Sequence, residues 1–227
     1  MCIRDSLFSD TGMQISCEGQ RHLGAVIGSE SSRNDFVTGK VKKWVKDIEV
    51  LSKIGINEPQ VALSAFTKGI CHRWSFIQRT IPDIKDLFEP LEEAIREIFI
   101  PAIIGRKISD LERKIFSLLV RFGGMGIPNP VQCADREYGT SVAVTKNLTH
   151  LIINQERDLR NYNLGEQDKV ISSLKTSKDD HYQQRFNDII GNGCSLNLKR
   201  SLQLNQQKGV RIMAYYPTFE KLWVLLK

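Results

Sequence analysis

Leu118-Leu119-Val120-Arg121-Phe122-Gly123-Gly124-Met125-Gly126-Ile127-Pro128-Asn129-Pro130 places three glycines in four residues between two stretches of helical periodicity. Glycine takes positive φ at little cost, so this spacing predicts a chain that turns sharply or passes close to a neighbour. Pro128 and Pro130 rule out a continuing helix and prime the next one. A P-loop needs a Lys followed by Ser or Thr, with a strand before the loop, and both are missing. The segment therefore reads as a tight loop between helices, with Gly123, Gly124 and Gly126 as its structural residues. Arg121 has two readings, a bridge to carbonyls around the loop or a contact to ligand.

Upstream, Val37, Val41, Trp44, Val45, Ile48 and Leu51 recur at three- and four-residue steps, which predicts a helix from Asn34 with one apolar stripe. Lys40, Lys43 and Lys46 fall on another face. Asn57 before Glu58-Pro59 reads as the cap of a second helix, running through Val61, Phe66, Ile70, Trp74 and Ile77 to near Thr80. Leu87, Leu91, Ile95, Ile98 and Phe99 continue the helical pattern; Pro90 breaks it or starts a new helix, and Pro101 closes it. Ser109-Asp110 caps Leu111 to Leu118. Val131 to about Glu156 predicts another helix, interrupted near Asn147. At the beginning, Gln14 to Cys17 and Leu23 to Ile27 read as two strands around a Glu18-Gly19 turn.

Beyond Asn154 the character changes. Glu166 to Ile190 is polar and helical, with Val170, Ile171, Leu174, Tyr182, Phe186 and Ile189 to bury. That predicts a helical hairpin or coiled-coil arm hinged around Ser177 to Asp180 and ended by Gly191-Asn192-Gly193. Leu196 to Leu204 reads as one more helix, and a truncation or a frameshift near Arg211 is expected after Gly209.

Composition narrows the class. Hydrophobic residues at 41% and charged residues at 26% fit a globular chain. No apolar run reaches the roughly 18–20 residues of a membrane span, so no membrane partner is expected. Met1-Cys2-Ile3-Arg4-Asp5-Ser6 precedes no apolar core and is not a signal peptide. It resembles translated sequencing-adapter sequence, so residues 1–12 are expected to be disordered or artefactual. Five scattered cysteines and four histidines show no zinc spacing, which implies an intracellular chain, cytoplasmic or nuclear, with free thiols. A net charge of +6 is mildly in favour of a polyanion partner.

The glycine loop resembles the LP-x-R-x-GG-LG-I signature of retrotransposon reverse transcriptases, with Leu119 in place of the usual Pro and Met125 in place of Leu. Gly19-Gln20-Arg21-His22-Leu23-Gly24-Ala25-Val26-Ile27-Gly28 resembles the G-x-R-x-LG segment just after the palm of those enzymes. Ala65 to Trp74 and Gln78 to Pro82 resemble their following helices, and Asp135-Arg136-Glu137-Tyr138 with Ser141 the helix after the loop. The order matches, and the similarity runs from about Gln14 to Asn154.

The resemblance implies a C-terminal fragment of an RNA-directed DNA polymerase, mainly α in fold. Its parts are a palm-edge β-hairpin (13–32), a helical thumb-like domain (33–153), a polar helical extension (154–208) and a truncated or irregular tail (209–227). Magnesium, held on paired aspartates, would serve the intact relative. No cofactor or metal is expected in this fragment, because the Asp179-Asp180 pair lacks the aromatic residue and flanking strands of the catalytic motif. The fragment is expected to be inactive alone. Its expected partners are an RNA–DNA or DNA duplex, held weakly and with strong salt dependence, and the missing palm and fingers.

A thumb grips a duplex backbone by charge and shape, through Lys and Arg on a helix face. The candidates are Lys40, Lys43, Lys46, Lys68, His72, Arg73, Arg79 and Arg121, with His22 at the primer-grip-like turn. The lysine face reads equally as an ordinary solvated surface, and Trp74 as a core residue rather than a base-stacking one. No Gly-x-Ser-x-Gly elbow supports a hydrolase. The alternative function is a non-catalytic helical module that binds protein through the 166–190 arm, or a decayed retroelement remnant.

Overall fold

The computed structural model describes residues 18–155, 164–191 and 195–208. The predicted strand at Gln14 to Cys17, residues 1–12 and the tail from Gly209 lie outside them. β1 (Gly19–His22) pairs antiparallel with β2 (Ala25–Gly28), Gly19 opposite Gly28 and His22 opposite Ala25. The turn is Leu23-Gly24, at φ 46° and 89°, the two left-handed residues that a type I′ hairpin requires. The expected turn at Glu18-Gly19 is thus corrected. Gly19 opens β1, and its lack of a side chain serves close approach, since a Cβ there would lie 2.9 Å from Ser32 Cβ.

Leu23 is 85% exposed, so no packing offsets its strained backbone. We expect Leu23→Asn to stabilise the hairpin by about 1 kcal/mol. The measurement is amide hydrogen exchange across β1 and β2. Unchanged protection would mean that the turn carries no strain.

Helix α1 (Glu30–Asn57) starts earlier than expected, because Ser29 caps it by accepting from the Ser32 amide at 3.3 Å. Val37, Val41, Trp44, Ile48 and Leu51 form its buried stripe, as the periodicity predicts. Asn57 ends α1 instead of capping α2 (Pro59–Lys68); Glu58 occupies the cap position and makes no side-chain bond there.

The expected continuous helix to Thr80 is broken. Gly69 leaves helical geometry, a single 3-10 turn follows over Ile70–His72, and α3 (Ser75–Thr80) resumes. Pro90 does start α4 (Glu89–Ala94), but Pro101 does not close the element. A π turn over Ile95–Phe99 leads into α5 (Ile100–Ile104), with Pro101 in its first turn. Pro101 has no N–H to donate, and the wider π turn ahead of it absorbs the missing bond. The end falls at Gly105, at φ 83°.

Helix α6 (Asp110–Phe116) begins with the Ser109/Glu112 capping box. Arg106 also donates to the Glu112 carboxylate and is the main reason its pKa lies below the ordinary value. α7 (Pro130–Ile153) is capped by Asn129 and runs unbroken through Asn147. α8 (Leu164–Gly191) likewise runs straight through Ser177 to Asp180, where a hinge was expected. No Gly or Pro interrupts it there, and it is one helix rather than a hairpin. α9 (Leu196–Lys208) follows.

Among the described residues the fold is mainly α with one small hairpin, and no helix is long and apolar enough to cross a membrane. Two apolar clusters organise it. The larger carries a chain of rings: Phe88 stacks on Trp44, Trp44 meets Trp74 edge-on, and Phe66 lies between Trp74 and Phe99. Trp74 is 2% exposed, so it is a core residue. The smaller cluster joins Ile115, Leu118 and Phe122 to Tyr182, Phe186 and Ile189 of α8 and Leu202 of α9.

Candidate nucleic-acid interface

The glycine loop folds back on the end of α6. Gly123 and Gly126 sit at φ 82° and 68°, and Gly124 is pressed against backbone, where a Cβ would lie 2.7 Å from the Ile115 carbonyl. The amides from Gly123 to Ile127 are engaged internally: Gly123 donates to Val120, Gly124 to Leu119, Met125 and Ile127 to Phe116, and Gly126 to Leu118. These bonds satisfy carbonyls that a helix end leaves open. A phosphate cradle needs free N–H groups, and the amides of Gly123, Gly124 and Gly126 are all taken up within the loop.

The carbonyl-bridging arginine is Arg113, not Arg121. Arg113 is 5% exposed; it donates to the Ile127 carbonyl at 2.9 Å and the Pro128 carbonyl at 3.2 Å, and forks onto Glu92 at 2.6 and 2.7 Å. Sequence reasoning missed it because an Arg within an amphipathic helix reads as part of the wet face. Arg121 instead lies over the Phe122 ring and pairs with Asp179 of α8 at 2.5 Å.

The remaining cations divide by position. On α1, Phe36, Lys40, Lys43 and Asp47 recur at steps of four, three and four, so they share one stripe beside the buried face. Lys40 Nζ lies 5.5 Å from the Phe36 ring centre, and Arg21 of β1 reaches the same ring at 5.9 Å. One aromatic ring thus meets a cation from the hairpin and a cation from α1, while buried Val26 of β2 anchors the hairpin in the larger apolar cluster. Further along the stripe, Arg73 donates to Asp47 at 2.6 Å. The hairpin tip also lies near this segment, since a Cβ on Gly24 would meet the Phe76 ring at 3.5 Å.

Lys40, Lys43 and Arg73 are therefore brought together, with Arg21, part of the segment resembling G-x-R-x-LG but not counted among the candidate cations, as an added member. His72 is exposed next to Arg73, and His22 is exposed at the end of β1. Lys46 is exposed about 60° further round α1, and Lys68 is exposed at the end of α2. Arg79 lies away from this face, against Glu137 of α7 at 3.0 Å, and so does Arg121, against Asp179 of α8.

The Asp179-Asp180 pair does not fit the paired magnesium ligands of a polymerase. Adjacent helical residues point about 100° apart, and Asp179 is committed to Arg121. Among the described residues no group of three or more His, Cys, Asp or Glu side chains could hold a metal ion. Cys71 and Cys133 are free thiols whose pKa values burial pushes up. The chain matches no family model, no curated protein and no solved structure.

Proposed function

We propose that this chain grips the backbone of a template–primer duplex, as the thumb-like part of an RNA-directed DNA polymerase of the reverse-transcriptase kind. The observation that supports it is the gathering of Arg21, Lys40, Lys43 and Arg73 on one side of α1. The hairpin and α1 present cations from separate elements, the arrangement that backbone recognition by charge and shape calls for. Phosphate contact requires Arg73 to exchange Asp47 for the ligand, a small cost for an exposed ion pair. Magnesium and its carboxylates belong, in this proposal, to the palm and fingers that would partner this chain. The rival reading, a protein-binding arm, loses three of its six apolar anchors: Tyr182, Phe186 and Ile189 are buried against α6 and the loop.

The test is binding of the full chain to a primed RNA–DNA duplex across a salt series. Each phosphate contact adds about −0.9 to the slope of log K against log salt, so four contacts predict a slope of roughly −3 to −4. The Lys43→Glu, Arg73→Glu pair is expected to flatten the slope by about two. Absence of binding at low salt, or an unchanged slope, would overturn the reading.

A further inference from the structure

A cleft of about 640 Å³ lies between α7 and α8, in the size range of small-ligand sites. It is separate from the Arg21–Lys43 face, and the inference does not rest on duplex binding. Arg136 of α7 meets His181 of α8 at 3.2 Å, and Lys178 Nζ lies 3.9 Å from Glu137. This end of the cleft collects Arg79, Arg136, Lys178 and His181 around one carboxylate, Glu137, which already accepts from Arg79. Lys175 adds a further cation along the α8 wall. Towards the other end the walls are Val144, Ile171 and Leu174, with the Thr140 and Ser141 hydroxyls between.

Arg136 is the informative residue. No carboxylate among the described residues pairs with it. Its terminal nitrogens face His181 and the Cys133 sulfur, its guanidinium lies 5.5 Å from the Tyr182 ring centre, and its Nε is buried with no hydrogen-bond partner. A buried N–H donor on a cation is costly unless something anionic or polar completes it. The groups facing His181 are Arg136 and Glu137 from α7, Lys178 and Arg185 from α8, and Arg79 from α3. Arg79, Arg136 and Lys178 outnumber the one carboxylate, Glu137, so this end of the cleft is positive; burial, then Arg136 and Arg185, hold the imidazole below its ordinary pKa.

We infer that the cleft binds a phosphomonoester, with the phosphate against Arg136, Lys178 and His181 and the organic part along Val144, Ile171 and Leu174. Arg supplies planar paired donors to phosphate oxygens and Lys a mobile point charge. No Phe, Tyr or Trp lines the cleft, and its one aromatic ring, the His181 imidazole, stands at the cationic end. Two sources present the same chemistry, a free nucleotide and the 5′-phosphorylated end of a nucleic-acid strand.

The experiment titrates the full chain with uridine, uridine 5′-monophosphate, and tetrauridylate with and without a 5′-phosphate. Calorimetry reports affinity, and the His181 imidazole resonance reports the site. The phosphorylated ligands are expected to bind and to raise the His181 pKa, while uridine does neither. Arg136→Gln should weaken binding at least tenfold, and the exposed Lys178→Gln, which spares the packing, at least threefold. Lys43→Ala, on the separate face, should leave both readouts unchanged. Tighter binding of the 5′-phosphorylated strand assigns the site to strand ends, and equal affinity for the mononucleotide assigns it to free nucleotides. An unmoved His181 resonance at millimolar phosphomonoester, or equal loss on Lys43→Ala, would overturn the inference.

Discussion

Arg113→Met is expected to lower the unfolding free energy by about 3–5 kcal/mol, because it leaves the Glu92 carboxylate buried without its counter-charge. The side chain forks onto both Glu92 oxygens and reaches the Ile127 and Pro128 carbonyls from the same guanidinium. A single substitution thus opens four bonds at the junction of α4, α6 and the glycine loop. Lysine is no rescue, since a point charge cannot span a carboxylate and two carbonyls. The Glu92→Leu, Arg113→Met pair should recover part of the loss, because it removes the buried charge along with its partner. Urea midpoints of the three variants settle the matter. A loss below about 1 kcal/mol for Arg113→Met would show that water reaches Glu92 and that the pair is a surface one.

Gly124→Ala is the second large effect. A methyl group there collides with the Leu118 carbonyl and lies 2.7 Å from the Ile115 carbonyl, neither of which is a side chain able to rotate aside. The loop must lift off the end of α6 and give up bonds to the carbonyls it covers. We expect a loss of about 2–4 kcal/mol, typical of disrupted buried backbone. Gly126→Ala provides the contrast. Its backbone is left-handed, at φ 68°, but nothing lies within 4 Å of the added carbon, so about 1 kcal/mol is expected. Comparable losses at both positions would mean that conformation, and not close approach, governs the loop.

Much of this fold is legible from apolar spacing. The α1 stripe is visible because five large residues repeat in phase with the helix, and the glycine loop because three glycines have no other inexpensive use. The breaks are harder to see. Phe66, Ile70, Trp74 and Ile77 keep helical spacing across Gly69, so periodicity alone joins what the backbone separates. Pro101 looks like a terminator because the π turn that tolerates it leaves no mark in the spacing. At the hairpin, Glu18-Gly19 imitates a turn, whereas the left-handed pair is Leu23-Gly24, with a leucine where Asn or Gly is the usual signal.

The cationic face was half legible. Lys40 and Lys43 are found from the helical wheel. Arg21 joins them because the hairpin packs back near Phe36, and Arg79 lies apart from them, against Glu137 of α7. Long-range pairing of this kind decides which charges remain available to a ligand, and no local pattern reports it.

In α6 the consecutive residues Ile115 and Phe116 belong to different apolar clusters, the first facing α8 and α9, the second facing α1 through α5. A helix advances about 100° per residue, so one inserted or deleted codon upstream within Asp110–Phe116 would rotate both side chains away from their clusters together. Seven residues therefore set the reading frame between the two halves of the molecule. A change of length in this helix disturbs both clusters at once.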